Sequence, residues 1–347
     1  MTHAAIPPDA RRIAIVLPSW VGDAVMATPA LRAVRCARPG AMITGIMRPG
    51  LDEVLRGAPW LDATIVCAMK GAGGPTRLAG AIRAAAPEAV LLLPNNFRSA
   101  LAARLAGAPV RIGYRRDGRG WLLTHPVAAQ RSETPTPTLE YYLSLAAHAL
   151  AADAEAIDRR MELFITDDER ARADELLAGV TPPYIVLNPG GNLAAKRWPP
   201  DRFAAVAAAL HESHGLAALI TGAPREREIA DAVIAAAGPE QNPIVSLIPR
   251  GLTLGALKPV LQRAAIVITN DTGPRHVAAA LGRPLVSLFG PTDQRWTTIG
   301  FPRERRLLAE PFLPETLIAD EHRTVCRIER ITVNDVLSAA RDLLNRT

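Results

Sequence analysis

Two successive series of apolar strands alternating with Ala-rich helices predict an α/β protein built as two Rossmann-like, doubly wound domains. The chain has 347 residues, long for one core when a domain takes about 100 to 200. Its apolar runs are short, bounded by Pro or by charge, and followed by helix formers, as in a parallel sheet covered by helices. The whole pattern restarts after Thr181-Pro182-Pro183. Two domains make a cleft between them possible.

Arg11 and Arg12 precede Ile13-Ala14-Ile15-Val16-Leu17, an apolar run closed by Pro18 that reads as a buried strand. Residues 24–35 offer helix formers after the polar turn 19–23, and residues 41–47 read as the second strand. A third strand at 64–67, a helix over 81–86 and a strand at 89–93 stopped by Pro94 continue the alternation. Residues 131–137, rich in Ser, Thr and Pro, form a loop before the helical stretch 139–152, and the domain junction follows it. A polar helix at 167–178 leads into the second series, with strands at 184–187, 216–220, 243–247, 265–269 and 284–288. Residues 331–344 read as a terminal helix. The expected division is 1–165, 166–330 and a C-terminal helix in 331–347.

Composition narrows the function classes. Hydrophobic residues at 49% and charged residues at 21% describe a globular protein, and 40 Lys and Arg against 34 Asp and Glu give a formal charge of +6. No block of like charge or basic stretch interleaved with aromatics marks a nucleic-acid surface. Cys36, Cys67 and Cys326 are odd in number and widely spaced, which predicts neither a disulfide framework nor a zinc site and fits a reducing cytosol. No signal-peptide core and no run of eighteen apolar residues is present, so a lipid-linked substrate would be met at a membrane surface.

Three loops follow predicted strands, where open α/β sheets bind ligands. In Pro18-Ser19-Trp20-Val21-Gly22-Asp23, Gly22 permits a tight turn and Asp23 stands near a helix start, either as a capping carboxylate or as a proton acceptor. In Asn188-Pro189-Gly190-Gly191-Asn192, followed by Ala195-Lys196-Arg197-Trp198-Pro199-Pro200, glycines allow close backbone approach. Lys196 and Arg197 either bring charge to a phosphate or remain solvated. In Asn270-Asp271-Thr272-Gly273-Pro274-Arg275-His276, Pro274 suits the first helical position, and the N–H groups of Thr272 and Gly273 would face an anion at a helix N-terminus. His276 is either a ligand contact or a locally packed helix residue. The lack of G-x-G-x-x-G after the first strand argues against dinucleotide binding.

Together these segments resemble glycosyltransferase family 9, the ADP-heptose:lipopolysaccharide heptosyltransferases, most closely their heptosyltransferase II branch. The first loop is similar to P-S-W-V-G-D, and the second to P-G and A-K-R-W-P. The third, with His276-Val277-Ala278-Ala279-Ala280-Leu281, Arg283-Pro284 and Gly290-Pro291-Thr292, is similar to D-[ST]-G-x-x-H-x-A-A-A-L…R-P…G-P-[ST]. Gly222-Ala223-Pro224 with Glu226, and Pro94-Asn95 with Arg98-Ser99-Ala100-Leu101, also resemble family stretches. Where that branch carries a Cys-rich segment before the C-terminal helix, this chain has Cys326 alone.

The resemblance implies a GT-B fold, two domains facing a central cleft, with the acceptor mostly on the N-terminal one and the ADP-sugar mostly on the C-terminal one. It implies a cytoplasmic enzyme, peripheral at the inner face of the membrane, that inverts the sugar without a metal or other cofactor. ADP-heptose would be the donor and the lipopolysaccharide inner core the acceptor. Asp23 is the expected base and Lys196 the expected cation on the leaving diphosphate. Gly190, Asn192, Glu226, Asp271, Thr272, Gly273 and His276 are the other expected donor contacts, with Glu226 on the ribose hydroxyls. Ser19, Trp20, Gly22, Arg98, Arg115, Arg116 and Arg119 are the expected acceptor contacts, the arginines because their planar fork suits anionic groups. A sugar-nucleotide epimerase of the same fold, which needs no acceptor, and a sugar-nucleotide-binding protein without turnover are the rival readings.

Overall fold

The computed structural model of the protein describes residues 4–128, 135–180, 182–238, 244–309, 317–322 and 324–345. Of the sequence expectations, residues 131–134 of the loop at 131–137, Thr181 and Pro243 lie outside the described residues. The chain divides into two compact units, with the boundary between Phe164 and Ile165.

Among the described residues the first unit holds six strands: β1 (Arg12–Val16), β2 (Met42–Met47), β3 (Ala63–Val66), β4 (Ala89–Leu92), β5 (Val110–Tyr114) and β6 (His125–Val127). They form one sheet in the order β3-β2-β1-β4-β5-β6. Every pairing is parallel, and Ile13 on β1 lies opposite Ile43 on β2 and Ala89 on β4. β1 and β4 are buried along nearly their whole length, which explains their continuous apolar sequences: helices cover both faces. The expected single helix after β1 is two, Val21–Met26 and Thr28–Ala37. Pro29 stands in the first turn of the second and lacks the N–H that a continuous helix would need there. Thr28 donates its hydroxyl to the carbonyl of Val25 at 2.7 Å and accepts the N–H of Glu162 at 3.2 Å, fixing the bend.

The second unit repeats the plan with β7 (Tyr184–Asn188), β8 (Ala217–Ile220), β9 (Ile244–Ser246), β10 (Ile266–Asn270), β11 (Leu285–Phe289) and β12 (Glu304–Leu308). Its order is β12-β11-β10-β7-β8-β9, again all parallel. Counted from its own first strand, each sheet runs 3-2-1-4-5-6. The opening helix, Asp167–Leu176, starts in a capping box between Thr166 and Glu169. Glu169 also pairs with Lys258 at 2.9 Å, and both side chains are buried.

The terminal helix, Val333–Leu344, does not stand apart from the second unit. Val336, Leu337, Ala340 and Leu343 join Ile185, Val206, Ile268 and Val286 in one core, each fully buried aliphatic contributing about 1.5–3 kcal/mol.

In both sheets the chain leaves the first strand toward one edge and returns beside it as the fourth. The crevice at such a reversal, at the carboxyl ends of the two central strands, is where doubly wound sheets take ligands. The loops after β1 and β4 lie there in the first unit, and those after β7 and β10 in the second. These positions include all three loops singled out by sequence.

Candidate active site

In the second unit, buried polar side chains join the loops after β7 and β10. Asn188 ends β7 and donates to the carbonyl of Thr221 at 2.9 Å, while its Oδ1 accepts the hydroxyl of Thr272 at 3.0 Å. Asn270 ends β10, donates to the carbonyls of Pro189 and Gly190 at 2.9 and 3.0 Å, and accepts the N–H of Trp198 at 3.2 Å. Trp198 is fully buried and donates its indole N–H to Ile331 at 2.9 Å. Arg197 folds back to donate through Nε and a terminal nitrogen to the carbonyl of Gly191, at 2.9 and 2.8 Å. Of the Lys-Arg pair, Arg197 therefore braces the turn and Lys196 is the cation beside the binding loops.

Glycine at 190 is required by a neighbour. A Cβ there would lie 2.5 Å from the Glu226 carboxylate. That carboxylate accepts the N–H of Gly191 at 2.9 Å and of Ala223 at 2.8 Å. Glu226 is thus first a staple between the loops after β7 and β8, and each oxygen keeps acceptor capacity beyond those bonds. Asn192 is exposed.

Thr272 is the N-cap of helix Gly273–Ala280, but its hydroxyl is committed to Asn188 and Asn270 and does not cap the helix. Thr272 and Gly273 are partly accessible, leaving the positive end of this helix open to an anion. Lys196 Nζ lies 3.5 Å from Asp271 Oδ2, with the two side chains 15% and 8% exposed. Asp271 Oδ1 meets Arg275 at 3.3 Å and the Thr297 hydroxyl at 3.3 Å. Burial alone would raise the Asp271 carboxyl, but Arg275 and Lys196 outweigh it and hold the group ionised, below its usual range.

Arg275 and Glu304 complete this network, and sequence reasoning assigned neither a role. Arg275 is fully buried and forks onto Glu304 at 2.7 and 3.2 Å, while Ser287 donates to the same carboxylate at 2.6 Å. Arg275 already stood inside the third motif, where a charge beside apolar helix positions was the available signal. Glu304 gave none. His276 is 3% exposed, and burial, then Arg275, push its ring from 6.5 down to about 3. The imidazole is therefore neutral, and its Nδ1 has no partner among the described residues.

In the first unit, a cavity of about 230 Å³ opens between the loops after β1 and β4, lined by Ser19, Lys70, Asn96 and Arg98 among others. Helix Val21–Met26 has Trp20, not Asp23, as its N-cap. Asp23 sits in the first turn, half-buried, where the helix dipole favours a carboxylate. Burial, and then the Asp23 charge, push the nearby Tyr142 phenol well above its ordinary range. Gly22 is buried beside it and Trp20 is 57% exposed under Lys70, whose Nζ is 5.8 Å from the indole centre.

The four expected acceptor arginines separate. Arg98, Arg115 and Arg116 are exposed; Arg98 also donates to the Gly71 carbonyl, and Arg116 lies 5.7 Å from the Tyr141 ring centre. Arg119 corrects the sequence reading. It is fully buried and donates to the carbonyls of Tyr114, Pro94 and Asn96, to Ser99 and to Asn95. Its guanidinium braces the loop after β4 and leaves no face for an acceptor. Among the described residues no group of three His, Cys, Asp or Glu side chains is arranged to hold a metal.

The fold has counterparts among known proteins. The chain is similar to lipopolysaccharide heptosyltransferase 2 of Escherichia coli (strain K12), 28% identical over 296 residues covering 82% of this chain and 84% of that protein. It is also similar to the solved structure of E. coli ADP-heptose lipopolysaccharide heptosyltransferase II, with a TM-score of 0.82 at 26% identity, covering 96% and 99% of the two chains. A family 9 glycosyltransferase from Veillonella parvula shares the fold, with a TM-score of 0.83, 24% identity and coverage of 99% and 100%. The paired six-stranded sheets are the GT-B arrangement of these enzymes. The family model for glycosyltransferase family 9 (heptosyltransferase) matches residues 76–309, more than half of the sequence, and the chain belongs to that family.

Proposed function

We propose that this protein is an inverting glycosyltransferase that moves a heptose from ADP-heptose to the inner core of lipopolysaccharide. The observation that carries the reading is the paired loops of the second unit. A glycine turn, the Lys196 ammonium and the open N-terminus of helix Gly273–Ala280 occur together at the sheet's reversal point. These are the elements a leaving diphosphate needs: close backbone approach, a cation and oriented N–H dipoles. The oxygens of Glu226 serve the ribose hydroxyls, Asp271 orients Lys196, and the neutral His276 lies behind them.

In the proposed step an acceptor hydroxyl attacks the anomeric carbon as the carbon–oxygen bond to the diphosphate breaks. The electron pair leaves with ADP, and attack from the opposite face inverts the centre. Asp23 takes the hydroxyl proton, and no metal is assigned a part. The exposed Arg98, Arg115 and Arg116, with the cavity residue Lys70, supply positive charge for an anionic, lipid-carried acceptor at the membrane surface. Relatives alignable over four-fifths of the chain are heptosyltransferases, which favours transfer over epimerisation.

The test is acceptor-dependent release of ADP from ADP-heptose, with the matching mass increase on a truncated core acceptor. In Asp23→Asn the side chain is nearly isosteric, so transfer should fall at least a hundredfold while calorimetric affinity for ADP stays near the parent value. Sugar or ADP release without acceptor would favour an epimerase or hydrolase. An Asp23→Asn variant keeping more than about a tenth of parental kcat would remove Asp23 as the base.

A further inference from the structure

The first unit carries an exposed aromatic pair, Phe97 and Trp121, that the proposed chemistry does not use. Trp121 is 72% exposed and Phe97 38% exposed, and their rings meet in a tilted pair at 6.2 Å and 54°. Phe97 opens the helix after β4, at the carboxyl end of that strand, and Trp121 lies in the turn Gly120–Leu122 on the connection from β5 to β6. Large exposed aromatics placed together are uncommon on a monomer's surface and mark a site of contact.

The charges around them identify the partner. Arg98 adjoins Phe97, and Arg115 packs beside Gly120, where a Cβ would lie 3.4 Å from its own Cβ. Arg98, Arg115 and Arg116 are all exposed. Between Glu88 and Glu133 the sequence has one acidic residue, Asp117. An aromatic pair that sits at headgroup depth, ringed by arginines that meet anionic phosphates, is the composition of an interfacial membrane anchor. A protein partner would more commonly bring both signs of charge to its rim.

We infer that Phe97 and Trp121, flanked by Arg98, Arg115 and Arg116, form a docking surface for an anionic lipid bilayer. This deepens the proposed function, on which it rests for its setting: an acceptor carried by lipid is met by the unit that bears the patch. Each arginine at an anionic surface adds about fivefold to the affinity, so binding weakens steeply with salt.

The test uses the full chain and vesicles free of acceptor, either one-quarter phosphatidylglycerol in phosphatidylcholine or phosphatidylcholine alone. The parent should sediment with the anionic vesicles at 0.1 M salt (about one Debye length of 10 Å), be released as salt is raised several-fold, and ignore the neutral ones. Brominated lipid should quench its fluorescence, and Trp121→Phe should lose most of that quenching while still binding. Phe97→Ser/Trp121→Ser should lower vesicle binding about tenfold or more, and transfer to a soluble deacylated acceptor should remain at the parental rate. Thermal unfolding of the double variant checks that its fold is intact. No binding to anionic vesicles, or binding that the double variant leaves unchanged, overturns the inference. An equal loss of transfer to the soluble acceptor also overturns it, because the aromatics would then contact sugar. Vesicle binding without any heptosyl transfer by the parent would leave the docking surface standing and overturn the proposed reaction instead.

Discussion

Arg275→Met tests the buried network behind the donor loops. Methionine fills similar volume but, among the described residues, removes the only cation on Glu304 and one of two on Asp271. Glu304 is 4% exposed and would keep only the Ser287 hydroxyl at 2.6 Å, which cannot balance an ionised carboxylate out of water. Breaking a buried pair on one side costs about 3–5 kcal/mol, and the Arg275 stacking on Phe289 at 4.9 Å is lost as well. Replacing both partners, as Arg275→Met/Glu304→Gln, removes the stranded charge and leaves an amide oxygen for Ser287, so most of that loss should return. Hydrogen exchange of the β10 and β11 amides measures opening of the second unit by itself. A single variant costing less than about 1 kcal/mol, or a double variant as unstable as the single, would refute the reasoning.

Lys196→Ala should lower donor affinity and rate together, by about tenfold to a thousandfold in kcat/KM, because a cation on the diphosphate gains value as that group leaves; steady-state kinetics with ADP-heptose measures it. Glu226→Gln, which keeps one acceptor for the turn, should raise donor KM with kcat nearly constant, and a large fall in kcat at unchanged KM would place Glu226 elsewhere. His276 titrates at 6.5 unfolded and about 3 folded, so below pH 6.5 the unfolded chain binds a proton that the native ring refuses. Stability present above pH 6.5 should therefore fall toward pH 3, by up to about 1.4 kcal/mol per pH unit from this residue, and His276→Gln should flatten urea midpoints between pH 6 and 4.5.

The central strands were legible because burial on both faces demands unbroken apolar runs, as in Ile13 to Val16 and Tyr184 to Leu187. Edges were not. β6 is three residues containing Pro126, and β12 reads Glu-Arg-Arg-Leu-Leu; a half-exposed edge needs no apolar signature. The binding loops could be found because they follow those central strands and combine glycine with charge. What the side chains do inside them was less accessible. Arg119 and Arg98 look alike as arginines near one loop, yet one is buried by carbonyls from Pro94, Asn96 and Tyr114 that only folding brings together. Glu226 carries no local sign that its carboxylate closes a turn 35 residues earlier. Arg275 and Glu304 are 29 residues apart and meet only once helix Gly273–Ala280 has packed on β10 and β11 and β12 has paired with β11.

The placement of helix Val333–Leu344 orders events during synthesis. β7, the first-made strand of the second sheet, sits at its centre, and the helix that covers part of that core emerges about 150 residues later, tens of seconds at the slow end of ribosomal rates. Through that interval the second unit has apolar side chains such as Ile185 and Val286 without their final cover, while every strand of the first sheet has already left the ribosome. The nascent chain thus passes through a stage with one unit able to close and the other held open, and an early stop codon that removed the sequence from Val333 onward would leave it at that stage. Such a product would present an uncovered core to chaperones and proteases even though every residue of both binding loops had been made.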